Sequence, residues 1–320
     1  MTICIRLGLL LLLTWAGGAH AALNWTEFPV PEGSGVHDVA PAPDGTVWFT
    51  AQAAGALGRL DPRSGHVDEV PLGRGSAPHG VIIGPDRAPW VTDGGLNAIV
   101  SVDPVSHAIR SFPLPANRRG ADLNTATFDK AGVLWFTGQR GIYGRVDPAS
   151  GEVRVWDAPR GPGAYGIATT PAGEVYFASL ASSYIARIDS TTGAAAVVEP
   201  PTPEQGARRL WSDTRGALWI SEFLAGQIAR FDPGQNTWKS WPLPGNRPQP
   251  YGIYVDQQDI VWVSDFGAGA LLRFDPATGQ FSRIAGQKGD VRIRQLLGRP
   301  GEVWGADSAH DRLIRVSGQD

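Results

Sequence analysis

The chain has 320 residues, with 28 Lys+Arg against 31 Asp+Glu, a formal net charge of −3, and 41 glycines and 26 prolines. That balance gives no general attraction to nucleic acid or to an anionic membrane surface. Cys4 is the single cysteine, which excludes an intrachain disulfide, a zinc site built on several thiolates and a dithiol redox centre.

The first stretch, MTICIRLGLLLLLTWAGGAHA, reads as a secretory signal peptide. Arg6 is its positive start, Leu7 to Trp15 its apolar core, and Ala19-His20-Ala21 a small-x-small cleavage site. The apolar core is too short to span a bilayer comfortably, and no later run qualifies, so no membrane insertion is expected. Cleavage after residue 21 removes Met1, Cys4 and Arg6 and leaves 27 Lys+Arg against 31 Asp+Glu, a net of −4. The expected product is one periplasmic or secreted domain, residues 22–320, monomeric and without thiols.

From residue 24 onward the chain repeats itself. An aromatic run recurs seven times: VWFTA (47–51), PWVTD (89–93), LWFTG (134–138), VYFAS (175–179), LWISE (218–222), VWVSD (261–265) and VWGAD (303–307). About eight residues after each of the first six comes an apolar strand that ends on a turn of the GRLDPRSG type. The turn aspartates are Asp61, Asp103, Asp147, Asp189, Asp232 and Asp275, spaced 42 to 44 residues apart. In such a turn the Asp side chain accepts a backbone N–H, Pro fixes φ and Gly takes the positive φ. A further strand follows each turn, as in VDEVPL (67–72) and WKSWPL (238–243).

Four short strands in roughly 43 residues is the period of a β-propeller blade, so the predicted fold is an all-β, seven-bladed propeller. The last repeat stops at LIRVSG (313–318) with no fourth strand, and NWTEFPVPEG (24–33) looks like a fourth strand with no repeat before it. Residues 24–29 are therefore expected to pair with 311–316 and close the ring. The in-phase aromatics Trp48, Trp90, Trp135, Tyr176, Trp219, Trp262 and Trp304 are expected to pack between blades.

In a propeller the first strand of each blade lines the central channel. The position eleven residues before each aromatic holds His37, His79, Asn124, Tyr165, Arg208, Tyr251 and, after a one-residue gap, Arg294. Three residues after each aromatic stands a second set: Ala51, Asp93, Gly138, Ser179, Glu222, Asp265 and Asp307. Positions that repeat while the residue type changes suit a ligand site laid on a symmetric scaffold. Polar residues lining water would look alike. The loops entering the inner strands add Arg118, Arg119, Arg160, Arg209, Arg247 and Arg292, an expected rim of forks for carboxylate or phosphate.

The motifs PHGV (78–81), DGTVWFTA (44–51) and VDEVPL (67–72) resemble the repeats of the streptogramin B lyase (virginiamycin B lyase) family along the whole mature chain. The resemblance implies a seven-bladed propeller that opens a cyclic depsipeptide by elimination across an ester bond. In the family pattern a histidine is the base, and Mg²⁺ held by carboxylates polarises the ester. Carried over by position, the family's sixth-repeat histidine falls on Tyr251, and its last-repeat Glu-x-His falls on Arg292 and Arg294. Its following acid falls on Asp307, the one residue kept.

A rotated version of the pattern runs through His37 and His79 in adjacent blades, with Asp93 fourteen residues after His79. On that reading His79 is the base and His37 a substrate contact. Asp93, helped across the channel by Asp307, Glu222 or Asp265, holds the metal or orients His79. Asn124, Tyr165, Arg208, Tyr251 and Arg294 are then the substrate-binding set. Two functions are expected to compete: a metal-assisted carbon–oxygen lyase acting on an ester or lactone, and a non-catalytic propeller binding an anionic ligand or protein partner at its arginine rim.

Overall fold

The structure, a computed structural model, describes residues 23–318 except 285 and 288. The expected signal peptide lies outside the described residues. Regular structure among them is entirely β: 28 strands form seven four-stranded antiparallel sheets, as the repeat predicts. No described helix is long and apolar enough to cross a membrane.

Six blades are built from consecutive strands, innermost first. In blade 1 these are Val36–Pro41, Val47–Ala51, Ala56–Asp61 and His66–Pro71. The inner strands of blades 2 to 6 are Pro78–Ile83, Leu123–Phe128, Ala164–Thr169, Ala207–Ser212 and Pro250–Val255. Blade 7 runs Ile293–Arg299, Glu302–Asp307 and Arg312–Gly318, and its fourth strand is the N-terminal Leu23–Pro29. The ring therefore closes as expected, one residue along from the predicted register: Asn24 faces Ser317 and Pro29 faces Arg312. Asp311 explains the offset. It sits at φ 43° and its carboxylate accepts the N–H groups of Gly33 and Gly35, each at 2.8 Å. That binds it into the turn, so the strand begins at Arg312.

The repeated aromatics are buried, Trp48, Trp90, Trp135, Trp219 and Trp304 almost completely. Trp48 packs with Val81, Val91 and Val100 of the next blade, and Trp90 with Leu134, Phe136 and Val146. Burying rings of this size is worth roughly 2–3 kcal/mol each. Their indole N–H groups are also used: Trp135 donates to Asp129 and Trp262 to Asp256, both at 2.8 Å. In these blades the acid of the preceding turn thus serves its own blade.

A second device fastens blade to blade. Each inner strand carries a register shift, a bulge, at the same place, between Val36 and Val39 in blade 1 and between Ala207 and Leu210 in blade 5. A bulge leaves backbone donors without a ladder partner and re-aims side chains. In five blades the hydroxyl two residues after the aromatic, Thr50, Thr92, Thr137, Ser221 or Ser264, fills that gap, while blades 4 and 7 carry Ala178 and Ala306 there. Thr50 Oγ1 accepts the Asp38 N–H (2.9 Å) and donates to the His79 carbonyl of the next blade (2.8 Å). Thr92 does the same between Gly80 and Asn124, and Ser221 between Arg209 and Tyr251. Gly80, the glycine of PHGV, is required there because a Cβ would stand 2.5 Å from the Asn124 carbonyl oxygen. The bulge, present in all seven blades, sets which inner-strand side chains reach the channel.

Candidate functional site

The structure brings the first ring together at the channel mouth where the inner strands begin. The His37 and His79 rings lie 3.8 Å apart. Asn124 Nδ2 meets His79 Nε2 at 3.3 Å, and His79 Nδ1 donates to the Asn124 carbonyl at 3.1 Å. Across the channel the Tyr165 and Tyr251 hydroxyls are 2.5 Å apart, Arg208 donates to Tyr165 (2.9 Å) and Arg294 to Tyr251 (3.5 Å). The Arg208 guanidinium lies 3.5 Å over the Tyr251 ring, a cation–π contact.

One layer deeper is a pair the eleven-residue offset does not pick out. Asp38 of blade 1 and Arg209 of blade 5, 1 % and 3 % exposed, form a two-pronged ion pair across the channel at 3.0 and 3.3 Å. Arg209, expected on the rim, is therefore inside. His37 Nδ1 donates to the same Asp38 oxygen (2.8 Å), and Arg209 also donates to Thr125 (3.1 Å). Beyond the pair the channel narrows to a cavity of about 20 Å³ bounded by Asp38, Arg209, Gln295, Val81, Ile167 and Ile253, room for about one water. The ion pair divides a polar mouth from an apolar far half.

Charge in this layer fixes the protonation of the rest. Burial, and then the guanidiniums of Arg209, Arg294 and Arg208, hold His37 well below the ordinary imidazole value. Burial and its neighbour His37 do the same to His79. Both imidazoles are neutral at pH 7, with hydrogen on Nδ1 and the lone pair on Nε2. Burial works against both partners of the ion pair. It raises the Asp38 carboxyl despite the guanidinium, while at Arg209 the attraction of Asp38 outweighs it and holds the guanidinium above its ordinary value. Burial and Tyr251 push Tyr165 up to about 12. At Tyr251 burial is outweighed by Arg208 and Arg209, which draw the phenol below its ordinary value.

The second set does not gather around the histidines. Asp93 accepts Ser76 Oγ (2.5 Å) and the N–H groups of Ala77 and Leu96 (2.9 Å each), so it clamps the loop entering its blade to the turn leaving the second strand. Asp265 accepts Gln249 N–H and Gly267 N–H, and Asp307 accepts Arg292 N–H, His310 and Arg312. Glu222 meets only Gln227 Nε2 (2.5 Å), and its Oε1 has no partner among the described residues. Equivalent positions in four blades keep these acids apart. The carboxylate beside His37 and His79 is Asp38, not Asp93.

Among the described residues the one group of His and acids within reach of a single ion is His37, Asp38 and His79. It does not suit Mg²⁺. That ion takes oxygen ligands in a strict octahedron, whereas here two of three donors are imidazoles and both Asp38 oxygens already hold Arg209. The surrounding guanidiniums add positive charge.

The rim arginines divide in two. Arg118 pairs with Asp157 and Arg160 with Glu199. Arg208, Arg292 and Arg294 form no ion pair among the described residues. They are held by Tyr165, by the Phe266 carbonyl (2.7 Å) and by Ser308 Oγ (3.0 Å), and the Arg208 Nε has no partner among the described residues. These three face the mouth around Tyr251 and Phe266.

The virginiamycin B lyase family model matches residues 17–285, a span that ends before Arg292 and Arg294. A streptogramin B lyase structure is 22 % identical, with TM-score 0.84 over 93 % of this chain and 98 % of that one. A catalytically inactive virginiamycin B lyase from Staphylococcus aureus with quinupristin is 19 % identical, with TM-score 0.84 over 92 % and 99 %. YCF48 bound to D1 peptide has TM-score 0.75 at 15 % identity over 94 % and 99 %. These likenesses show the propeller fold. No curated protein matches the sequence.

Proposed function

Since the chain belongs to the virginiamycin B lyase family, we propose that it works through the mouth of its channel, as an exported monomer that binds an anionic ligand there. The observation that carries this reading is the set of mouth arginines, Arg208, Arg292 and Arg294, without a carboxylate partner among the described residues. Below them Asp38 is already neutralised by Arg209. Guanidiniums gathered at one mouth without a matching charge favour a ligand that supplies the missing negative charge. Export rests on the Arg6, Leu7–Trp15 and Ala19–Ala21 pattern.

Citrate is a simple probe. It is expected to raise the Tm of residues 22–320 at low ionic strength through binding to the folded state. The shift should vanish in 1 M NaCl. Arg294→Gln and Arg208→Gln should each weaken citrate about tenfold, the loss of roughly one charge-assisted contact. A wild-type Tm indifferent to citrate sinks the reading.

A second reading, elimination across an ester or lactone with His79 as base and His37 as substrate contact, is favoured by the two neutral imidazoles in contact. A base must be unprotonated before it can take a proton. Incubated with a streptogramin B depsipeptide, an eliminating enzyme yields a ring-opened product of unchanged mass, lost in His79→Ala. A product heavier by one water, or none at high enzyme concentration, removes this second reading and leaves the binding one in place.

A further inference from the structure

The apolar surface at the mouth narrows the ligand further. In blades 5 and 6 the turn after the second strand begins with an aromatic, Phe223-Leu224-Ala225-Gly226 and Phe266-Gly267-Ala268-Gly269. The matching turns of blades 1, 4 and 7 are Gln52-Ala53-Ala54-Gly55, Leu180-Ala181-Ser182-Ser183 and Ser308-Ala309-His310-Asp311. Leu224 is 65 % exposed, one of three large exposed hydrophobic side chains among the described residues, and the one at this mouth. Phe223 and Phe266 are half-buried.

These aromatics carry the unpaired arginines. Arg208 lies 4.7 Å from the Phe223 ring centre, Arg292 lies 5.3 Å from that of Phe266, and Phe266 stacks on Tyr251 at 4.4 Å. A guanidinium stacked on a ring has its face occupied and its N–H edge still available, the arrangement that takes a carboxylate in a fork. Positive edge and apolar wall are therefore adjacent, contributed by blades 5, 6 and 7.

Resting on the anion-binding reading above, we infer that the ligand is a carboxylate borne directly on an apolar or aromatic body. The carboxylate sits in the forks of Arg208 and Arg294, and the body lies on Phe223, Phe266 and Leu224. A small inorganic anion would leave that wall facing water, and an apolar amide would leave the guanidiniums unmatched. An N-acylated amino acid and the C-terminus of a peptide share this chemistry.

Calorimetric titration of residues 22–320 with N-acetylphenylalanine, N-acetylphenylalanine amide, acetate and inorganic phosphate tests the inference. The acid is expected to bind at least tenfold more tightly than its amide and than acetate, in line with one charge-assisted contact and one buried ring. Phe266→Ala and Leu224→Ser should each weaken the acid several-fold and leave phosphate unchanged. Both supporting results extend to a tripeptide ending in phenylalanine: tighter binding than the acid points to a peptide C-terminus, weaker binding to a free acylated amino acid. If acid and amide bind alike, or acetate and phosphate match the acid, the inference falls while the anionic mouth stands. If no anion binds, both fall.

Discussion

Replacing Asp38 with Asn is expected to lower the unfolding free energy by about 3–5 kcal/mol, the usual cost of stranding one member of a buried ion pair. In a domain of this size that is a Tm drop of roughly 5–8 °C. Arg209 is almost fully enclosed and cannot shed its charge, so loss of the carboxylate leaves a guanidinium with neither water nor counter-charge. The pair also joins blades 1 and 5 directly across the ring, and His37 loses the acceptor of its Nδ1–H. The Asp38→Leu, Arg209→Met double variant should recover most of the loss, because two apolar side chains of similar size remove both desolvation costs. The double-mutant cycle then reads a coupling of at least about 2 kcal/mol. A single variant within about 1 kcal/mol of wild type would mean that water or another group already neutralises Arg209, and the description of the channel as divided by this pair would fail.

The same pair shows where sequence reasoning stopped. The ring of His37, His79, Asn124, Tyr165, Arg208, Tyr251 and Arg294 is legible because each lies at a nearly fixed distance from a phased aromatic, and strand geometry carries that phase into space. The bulge breaks the assumption of one channel residue per strand. It aims a second one inward, and the positions following the ring read Asp38, Gly80, Thr125, Gly166, Arg209, Gly252 and Gln295. One acid and one base in a ring of seven is a signal visible in the sequence, but it acquires meaning only once two residues per blade are counted.

The acids of the second set are hard to read from sequence for a different reason. Asp93, Asp265 and Asp307 clamp loops through backbone N–H groups, and residue type alone does not separate a clamp from a metal ligand. The division of the rim arginines depends on partners such as Asp157 and Glu199, 39 residues away in each case, a pairing that only the blade geometry reveals.

Glu222 is the exception among those acids, and it gives the second large effect. Its side chain has no exposure, one oxygen meets Gln227 and the other has no partner among the described residues. Burial, against the smaller pull of the Gln227 hydrogen bond, pushes its carboxyl up to about 7, from 4.5 in the unfolded chain. A folded value above the unfolded one means that the folded state prefers the protonated acid. Its contribution is therefore fully present below pH 4.5 and is lost as pH rises through 7. Across that window the wild type gives up about 3 kcal/mol, at roughly 1.4 kcal/mol per pH unit of separation. Glu222→Gln keeps the shape and removes the titration. The variant and the wild type should melt within a few degrees of each other at pH 4.5, and the variant should be more stable by about 3 kcal/mol at pH 8.5, roughly 5 °C or more. Two melting curves that stay parallel from pH 4.5 to 8.5 would mean that Glu222 is ionised throughout, held by a cation or a donor that supplies what its free oxygen lacks. In that case the acid would have the role of a ligand that its place three residues after Trp219 suggests.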